Sequence, residues 1–251
     1  MNLQLTGKRA LVTGGSRGIG KAVARQLARE GAEVAIAARD RARIDAAVAE
    51  LTSETGARVI GVTVDTGQGD SVSAMVTSVA DQLGGVDVLV NAAARPAGQA
   101  PAPTWDAITE DDLFEEVRVK VLGYLRVAQA VAPSMIENGW GRIINISGLA
   151  ARQAASVVGS VRNAAVVAMS KGLADALGPK GINVVTVHPG VTVTEAMTEE
   201  RRAMPAGNLV GRYIDAGEVA DLIAFLASPR SVSVTGDVIA AGGGVPRVIY
   251  Y

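Results

Sequence analysis

Short runs rich in Val and Ile alternate along this chain with longer amphipathic stretches, and no other feature restricts the fold as strongly. Residues 8–13, 33–38, 58–65, 86–91, 141–147, 183–188 and 237–240 have the length and β-branched content of strands. Between them, 18–30, 41–54, 71–83, 110–137, 156–177 and 217–226 carry helical apolar spacing. Such alternation requires parallel strand pairing with right-handed crossovers. It predicts an α/β fold with a doubly wound, seven-stranded parallel sheet flanked by helices, of the Rossmann type. The 251 residues contain neither an internal repeat nor a Pro- or Ser-rich linker, so they read as one domain spanning 1–251. The irregular stretch 191–213 follows a strand's carboxyl end and is the expected substrate lid.

Composition removes several kinds of chemistry. With no Cys, the chain has no disulfide, no thiolate nucleophile and no Cys-held zinc or iron–sulfur centre. With one His, His188, it has no multi-His metal site, and no metal is expected. Lys and Arg number 24 against 25 Asp and Glu, which leaves no basic footprint for nucleic acid or anionic lipid. No apolar run approaches a membrane span, and the first residues lack a signal-peptide pattern, so a soluble cytoplasmic protein is expected. The many Gly and few aromatic residues suit buried parallel strands with closely packed helices.

The motif with the clearest chemistry is Thr13-Gly14-Gly15-Ser16-Arg17-Gly18-Ile19-Gly20, at the junction of the first strand and first helix. Gly14 suits a turn closed to other residues, Gly18 lets the backbone approach a pyrophosphate, and Gly20 allows close helix–strand packing. The helix N-terminus offers free N–H groups and partial positive charge to phosphates. In its glycine spacing, and along nearly its whole length, the sequence resembles the short-chain dehydrogenase/reductase (SDR) family. Gly14, Gly18 and Gly20 match that family's cofactor loop, with Ser16 and Ile19 inside it. Asp65 matches the acid that reaches the adenine, and Asn91 the first Asn of the N-N-A-G segment. Pro189, Gly190, Thr192 and Thr194 fall in the P-G-x-x-x-T segment that flanks the nicotinamide. Residues 218–228 and 235–236 match the closing helix and strand.

The resemblance implies a nicotinamide dinucleotide, and two residues choose between its forms. NAD-specific members carry an Asp where Ala38 stands, and here Arg39 follows directly, with Arg17 inside the glycine loop. Two guanidinium groups suit a 2′-phosphate, so NADP(H) is expected over NAD(H). The alternative is that both are ordinary surface charges.

The catalytic end departs from the family. Its usual set is Asn, Ser, Tyr and Lys; the corresponding places hold Lys120, Gly148, Gly159 and Asn163. Ser147 stands one position before the missing Ser, and no Tyr lies between Tyr124 and Tyr213. Proton transfer from the usual Tyr therefore cannot operate here. Asn and Lys have exchanged places, so one cation remains, delivered from the opposite wall. A buried Lys120 titrates nearer neutrality and can act as an acid or as an anchor for an anionic substrate; a surface Lys is the competing reading. Asn163 is a candidate for the nicotinamide ribose, and Ser147, Ser156 and Ser160 are candidate donors to a substrate oxygen. Gly148 and Gly159 leave space for a bulky ligand. His188 at a strand's carboxyl end is a candidate proton donor, against a structural role in a loop. Arg152 and Arg162 are candidates for a substrate carboxylate, against a helix surface or a subunit contact.

Three readings follow: an NADP(H)-dependent oxidoreductase with an altered catalytic group acting on a small-molecule substrate; a non-redox lyase or isomerase on the same scaffold; and a catalytically silent NADP-binding subunit. Family resemblance also implies a homo-oligomer, tetramer or dimer, through the long helices 110–137 and 156–177. A Tyr250 or Tyr251 supplied by a neighbouring subunit is a further candidate donor.

Overall fold

The computed structural model describes residues 1–94, 104–153, 156–247 and 249. Strands and helices alternate: β1 (Arg9–Thr13), α1 (Gly18–Arg29), β2 (Glu33–Ala38), α2 (Arg41–Thr55), β3 (Val59–Thr63), α3 (Gly69–Leu83), β4 (Val88–Asn91), α4 (Glu110–Glu116), α5 (Leu122–Glu137) and β5 (Gly141–Ile146). The chain continues with α6 (Val157–Leu177), β6 (Ile182–Pro189), β7 (Thr192–Val193), α7 (Glu199–Ala203), β8 (Ile214–Asp215), α8 (Ala216–Ala227) and β9 (Val238–Ala241).

Seven strands form one parallel sheet in the order β3-β2-β1-β4-β5-β6-β9. The order reverses between β1 and β4, where Thr13 lies opposite Asn91. Loops diverge at such a switch point and leave a crevice at the strands' carboxyl ends. Strand side chains alternate between two cores. Val12, Ile36, Val185 and Val187 pack with α1, α2 and α8; Leu11, Leu89, Ile143 and Val184 pack with α3, α5 and α6. Among the described residues no helix is long and apolar enough to cross a membrane.

Two expectations need correction. The predicted helix 110–137 is interrupted by a π-helical turn, Val117–Val121, between α4 and α5. Its i→i+5 bonding inserts an extra residue per turn and re-aims side chains, an effect that apolar spacing does not register. The stretch 191–213 is not irregular throughout. β7 pairs in parallel with β8, α7 forms a single capped turn, and the Leu209 and Val210 N–H groups donate to the Gly244 and Gly243 carbonyls. Elements of two to five residues lie below the length at which sequence periodicity can be read.

Candidate active site

The glycine loop closes tightly after β1. Gly14 has φ +71°, and a Cβ there would lie 2.8 Å from the Ala92 and Ala93 backbone. A Cβ on Gly20 would lie 2.3 Å from the Gly14 carbonyl oxygen. Only glycines permit this close approach. The Gly14 N–H donates to the Ala37 carbonyl at 2.7 Å, tying the loop to the end of β2 and hence to Arg39. Arg17 precedes α1 in extended conformation and gives the helix no side-chain cap. Neither Arg17 nor Arg39 joins an ion pair among the described residues, whereas Arg9, Arg25, Arg58 and Arg212 each hold a carboxylate. Ser16 is half-buried in the loop, and the partly buried Ile19 side chain packs on the core.

From the other side, the arm after β6 reaches over α1. Pro189 ends the strand, and Gly190 packs so closely on Gly242 that a Cβ would lie 2.9 Å from its Cα. Thr192 Oγ1 donates to the Gly190 carbonyl at 3.0 Å. A Cβ on Gly18 would lie 3.7 Å from Thr194 Cγ2, and the Gly18 N–H itself donates to Glu195 Oε1 at 2.7 Å. Glu195 has no sequence signal beyond following Thr194, because the two residues meet across 177 positions.

Asp65 and Asn91 both make contacts within the fold. Asp65 Oδ1 accepts the Gly67 N–H at 2.9 Å and shapes the turn after β3. Asn91 is fully buried between strands. Its Nδ2 donates to Asn145 Oδ1 at 3.0 Å and to the Tyr124 carbonyl at 3.4 Å, and its Oδ1 accepts from Thr13 Oγ1 at 3.3 Å. Its side chain joins β1, β4 and β5; what it turns toward the crevice is the backbone of Ala92 and Ala93 beside Gly14.

At the reaction end the structure brings Lys120, Ser147 and Asn163 together. Lys120, in the π-helical turn, is only 4% exposed. Its Nζ donates to the Ser147 carbonyl at 2.9 Å and to Asn163 Oδ1 at 3.0 Å. It is not a surface Lys. Burial is the main cause that lowers its pKa from 10.5 to about 7; nearby Arg162 adds to the shift and Glu116 opposes it. The Ser147 hydroxyl spends its single proton on the Asn163 backbone carbonyl at 2.9 Å. In this arrangement it anchors α6. Ser156 likewise caps α6, accepting the Gly159 N–H at 3.1 Å.

His188 is fully buried, and its Nδ1 accepts the Gly148 N–H at 3.2 Å. That bond makes Nε2 the protonated nitrogen. Burial first, then Arg152 and Lys120, push its pKa down to about 4, so it is neutral near pH 7 and holds the Gly148 backbone. Arg162 is not on a helix surface: it is 8% exposed and ion-paired with Glu116. Arg152 Nη2 donates to the Val238 carbonyl at 3.4 Å. Tyr124 is fully buried, donates to the Ile146 carbonyl at 3.1 Å and has its pKa raised by burial, while Tyr213 bonds backbone carbonyls in the 201–213 segment. Neither hydroxyl serves the site. Tyr250 and Tyr251 lie outside the described residues.

Comparison with known proteins agrees with this layout. A family model described as Enoyl-(Acyl carrier protein) reductase matches residues 14–246. The 3-oxoacyl-(acyl-carrier-protein) reductase FabG of Vibrio cholerae serotype O1 is 31% identical over 266 residues, covering 97% of this chain and 99% of that protein. The chain is a short-chain dehydrogenase/reductase. Among solved SDR-like structures, L-sorbose reductase from Gluconobacter frateurii, complexed with NADPH and L-sorbose, superposes with a TM-score of 0.90. The two share 27% identity, over 99% of this chain and 100% of that one. A short chain dehydrogenase from Burkholderia cenocepacia J2315 in complex with NADP gives 0.84 at 36% identity, over 96% and 98% of the two chains. The seven-stranded fold and its place among the SDR oxidoreductases are thus shown.

Proposed function

We propose that this SDR is an NADP(H)-dependent oxidoreductase that interconverts a small-molecule carbonyl and its alcohol. The observation that carries the reading is the phosphate end of the crevice: a glycine cradle too close for any Cβ, at a helix N-terminus, flanked by Arg17 and Arg39 without carboxylate partners among the described residues. Those residues fit a dinucleotide bearing a 2′-phosphate, as in the NADPH and NADP complexes of the similar proteins. When bound, the dinucleotide supplies a hydride to a carbonyl carbon.

The chain's own contribution is electrostatic and positional. Gly14, Gly18 and Gly20 let the backbone meet the diphosphate, while Arg17 and Arg39 hold the 2′-phosphate. Residues 189–194 would flank the nicotinamide half. Lys120 places a cation behind the reaction end, where it favours negative charge developing on the substrate oxygen. Among the described residues no Tyr stands in for the family's acid, and the alcohol proton comes from water. Phe114 on α4, Leu122 on α5, and Val157 and Val161 on α6 are large, exposed and apolar, which supports a homo-oligomer through these helices. Equilibrium sedimentation tests that part, and a monomer at micromolar concentration would refute it.

The deciding experiment pairs calorimetric titration of NADPH and NADH with an assay on ethyl acetoacetate and L-sorbose. The expected result is a tenfold or greater preference for NADPH and one NADPH consumed per alcohol formed. Turnover without change in the nicotinamide would instead assign a non-redox reaction. Nucleotide binding with no turnover of either ketone would leave a silent NADP-binding protein.

A further inference from the structure

The geometry points to Asn163 as the residue that donates a hydrogen bond to the substrate's carbonyl oxygen, with Lys120 as the positioning residue that orients its amide. The inference rests on the oxidoreductase reading above.

An Asn amide has a donor end and an acceptor end of nearly the same shape, and its environment must choose between them. Here Lys120 chooses. Nζ donates both to the Ser147 carbonyl and to the amide, so the amide atom 3.0 Å from Nζ is the oxygen, and Nδ2 turns the other way. It turns toward Gly148. A Cβ on Gly148 would lie 3.1 Å from Asn163 Nδ2, against 3.6 Å from Cγ and 3.8 Å from Oδ1. The amide thus fills part of the space that a side chain at 148 would take, and that space is not an empty hole. Among the described residues Nδ2 donates to nothing, although the residue is only 3% exposed.

Both walls of this space are held from behind. Ser147 Oγ binds the Asn163 backbone carbonyl at 2.9 Å, and His188 Nδ1 binds the Gly148 N–H at 3.2 Å. Gly148 follows the carboxyl end of β5, the ligand edge of the sheet. An oriented, unspent donor backed by a cation at that edge is what an oxygen gaining negative charge requires. Lys120, Asn163 and Gly148 then form one interlocked set. Lys120 supplies orientation, Asn163 supplies the N–H, and the missing Cβ of Gly148 supplies room.

The test is steady-state reduction of ethyl acetoacetate and L-sorbose by the full chain, with NADPH affinity and Tm measured on every variant. Asn163→Asp keeps shape and the bond to Lys120 but removes both N–H donors. It should lower kcat about 10²–10³-fold with NADPH affinity within about threefold of wild type. Lys120→Met should also lower kcat rather than raise KM. Gly148→Ser should be impaired because its Cβ crowds Nδ2. In Asn163→Ala/Gly148→Ser the crowding is relieved and a hydroxyl returns to the same place, so kcat should recover at least about tenfold over Asn163→Ala. A kcat for Asn163→Asp within about threefold of wild type, or a double variant no better than Asn163→Ala, would overturn the assignment while leaving the oxidoreductase reading intact. A wild-type chain that binds NADPH yet reduces neither ketone would remove that reading, and this one with it.

Discussion

The Gly18 N–H donates to the Glu195 carboxylate at 2.7 Å, so an acidic side chain occupies the first turn of α1. A carboxylate is favoured there for the same reason a phosphate is: free N–H groups and the helix dipole. A diphosphate bound as proposed would compete with Glu195 for that end. Glu195→Gln, which removes the charge, is expected to tighten NADPH binding about two- to fivefold by calorimetry. Adenosine 2′-monophosphate, which lacks the diphosphate, should bind both proteins equally. Equal NADPH affinities would show that the contact does not oppose the cofactor.

Arg17 lies in the loop before α1, and Arg39 follows β2, whose Ala37 carbonyl accepts the Gly14 N–H. If both hold the 2′-phosphate, Arg39→Ala should weaken NADPH about tenfold or more and leave NADH within about threefold, since a charge-assisted hydrogen bond is worth roughly 1.5–3 kcal/mol. Equal loss for the two nucleotides would mean that Arg39 contributes only general charge.

Burial of Lys120 has a cost that depends on pH. Its pKa is about 7 in the folded chain and 10.5 in the reference state. Between those values the unfolded chain binds the extra proton, so this group raises stability as pH climbs from 7 toward 10. Urea midpoints should therefore rise with pH more steeply for wild type than for Lys120→Met. Identical slopes would show that Lys120 is not desolvated as the structure shows.

His188 acts on the acid side. With a folded pKa of about 4 against 6.5, the unfolded chain takes up the proton first as pH falls. Stability from the neutral imidazole is present above pH 6.5 and is lost between 6.5 and 4, at up to about 1.4 kcal/mol per pH unit. His188→Asn should flatten the fall in urea midpoint between pH 7.5 and 4.5. An unchanged fall would place the acid sensitivity elsewhere.

The cofactor half was largely legible in the linear order of residues. Thr13 to Gly20 join a strand to a helix locally, and the consequences of Gly14 and Gly20 depend on neighbours within the same turn and on the adjoining strand. The reaction half was legible as a list of replacements at 120, 148, 159 and 163, not as an arrangement. Nothing in the sequence shows that Ser147 bonds the Asn163 carbonyl or that Glu116 pairs with Arg162. Asn91 matched a cofactor motif, yet its side chain cross-links the sheet.

The class of fold, the chain order of the seven sheet strands and the absence of the family's Tyr at its usual place are legible in the sequence alone. These follow from period, spacing and residue identity, which are local properties. Only the tertiary structure decided that Lys120 is buried, that it bonds Asn163 from across a gap of 43 positions, and that Glu195 caps α1 across 177. The physical reason is that desolvation and hydrogen-bond partnership depend on what the sheet brings within about 3 Å, and sequence distance sets no limit on that.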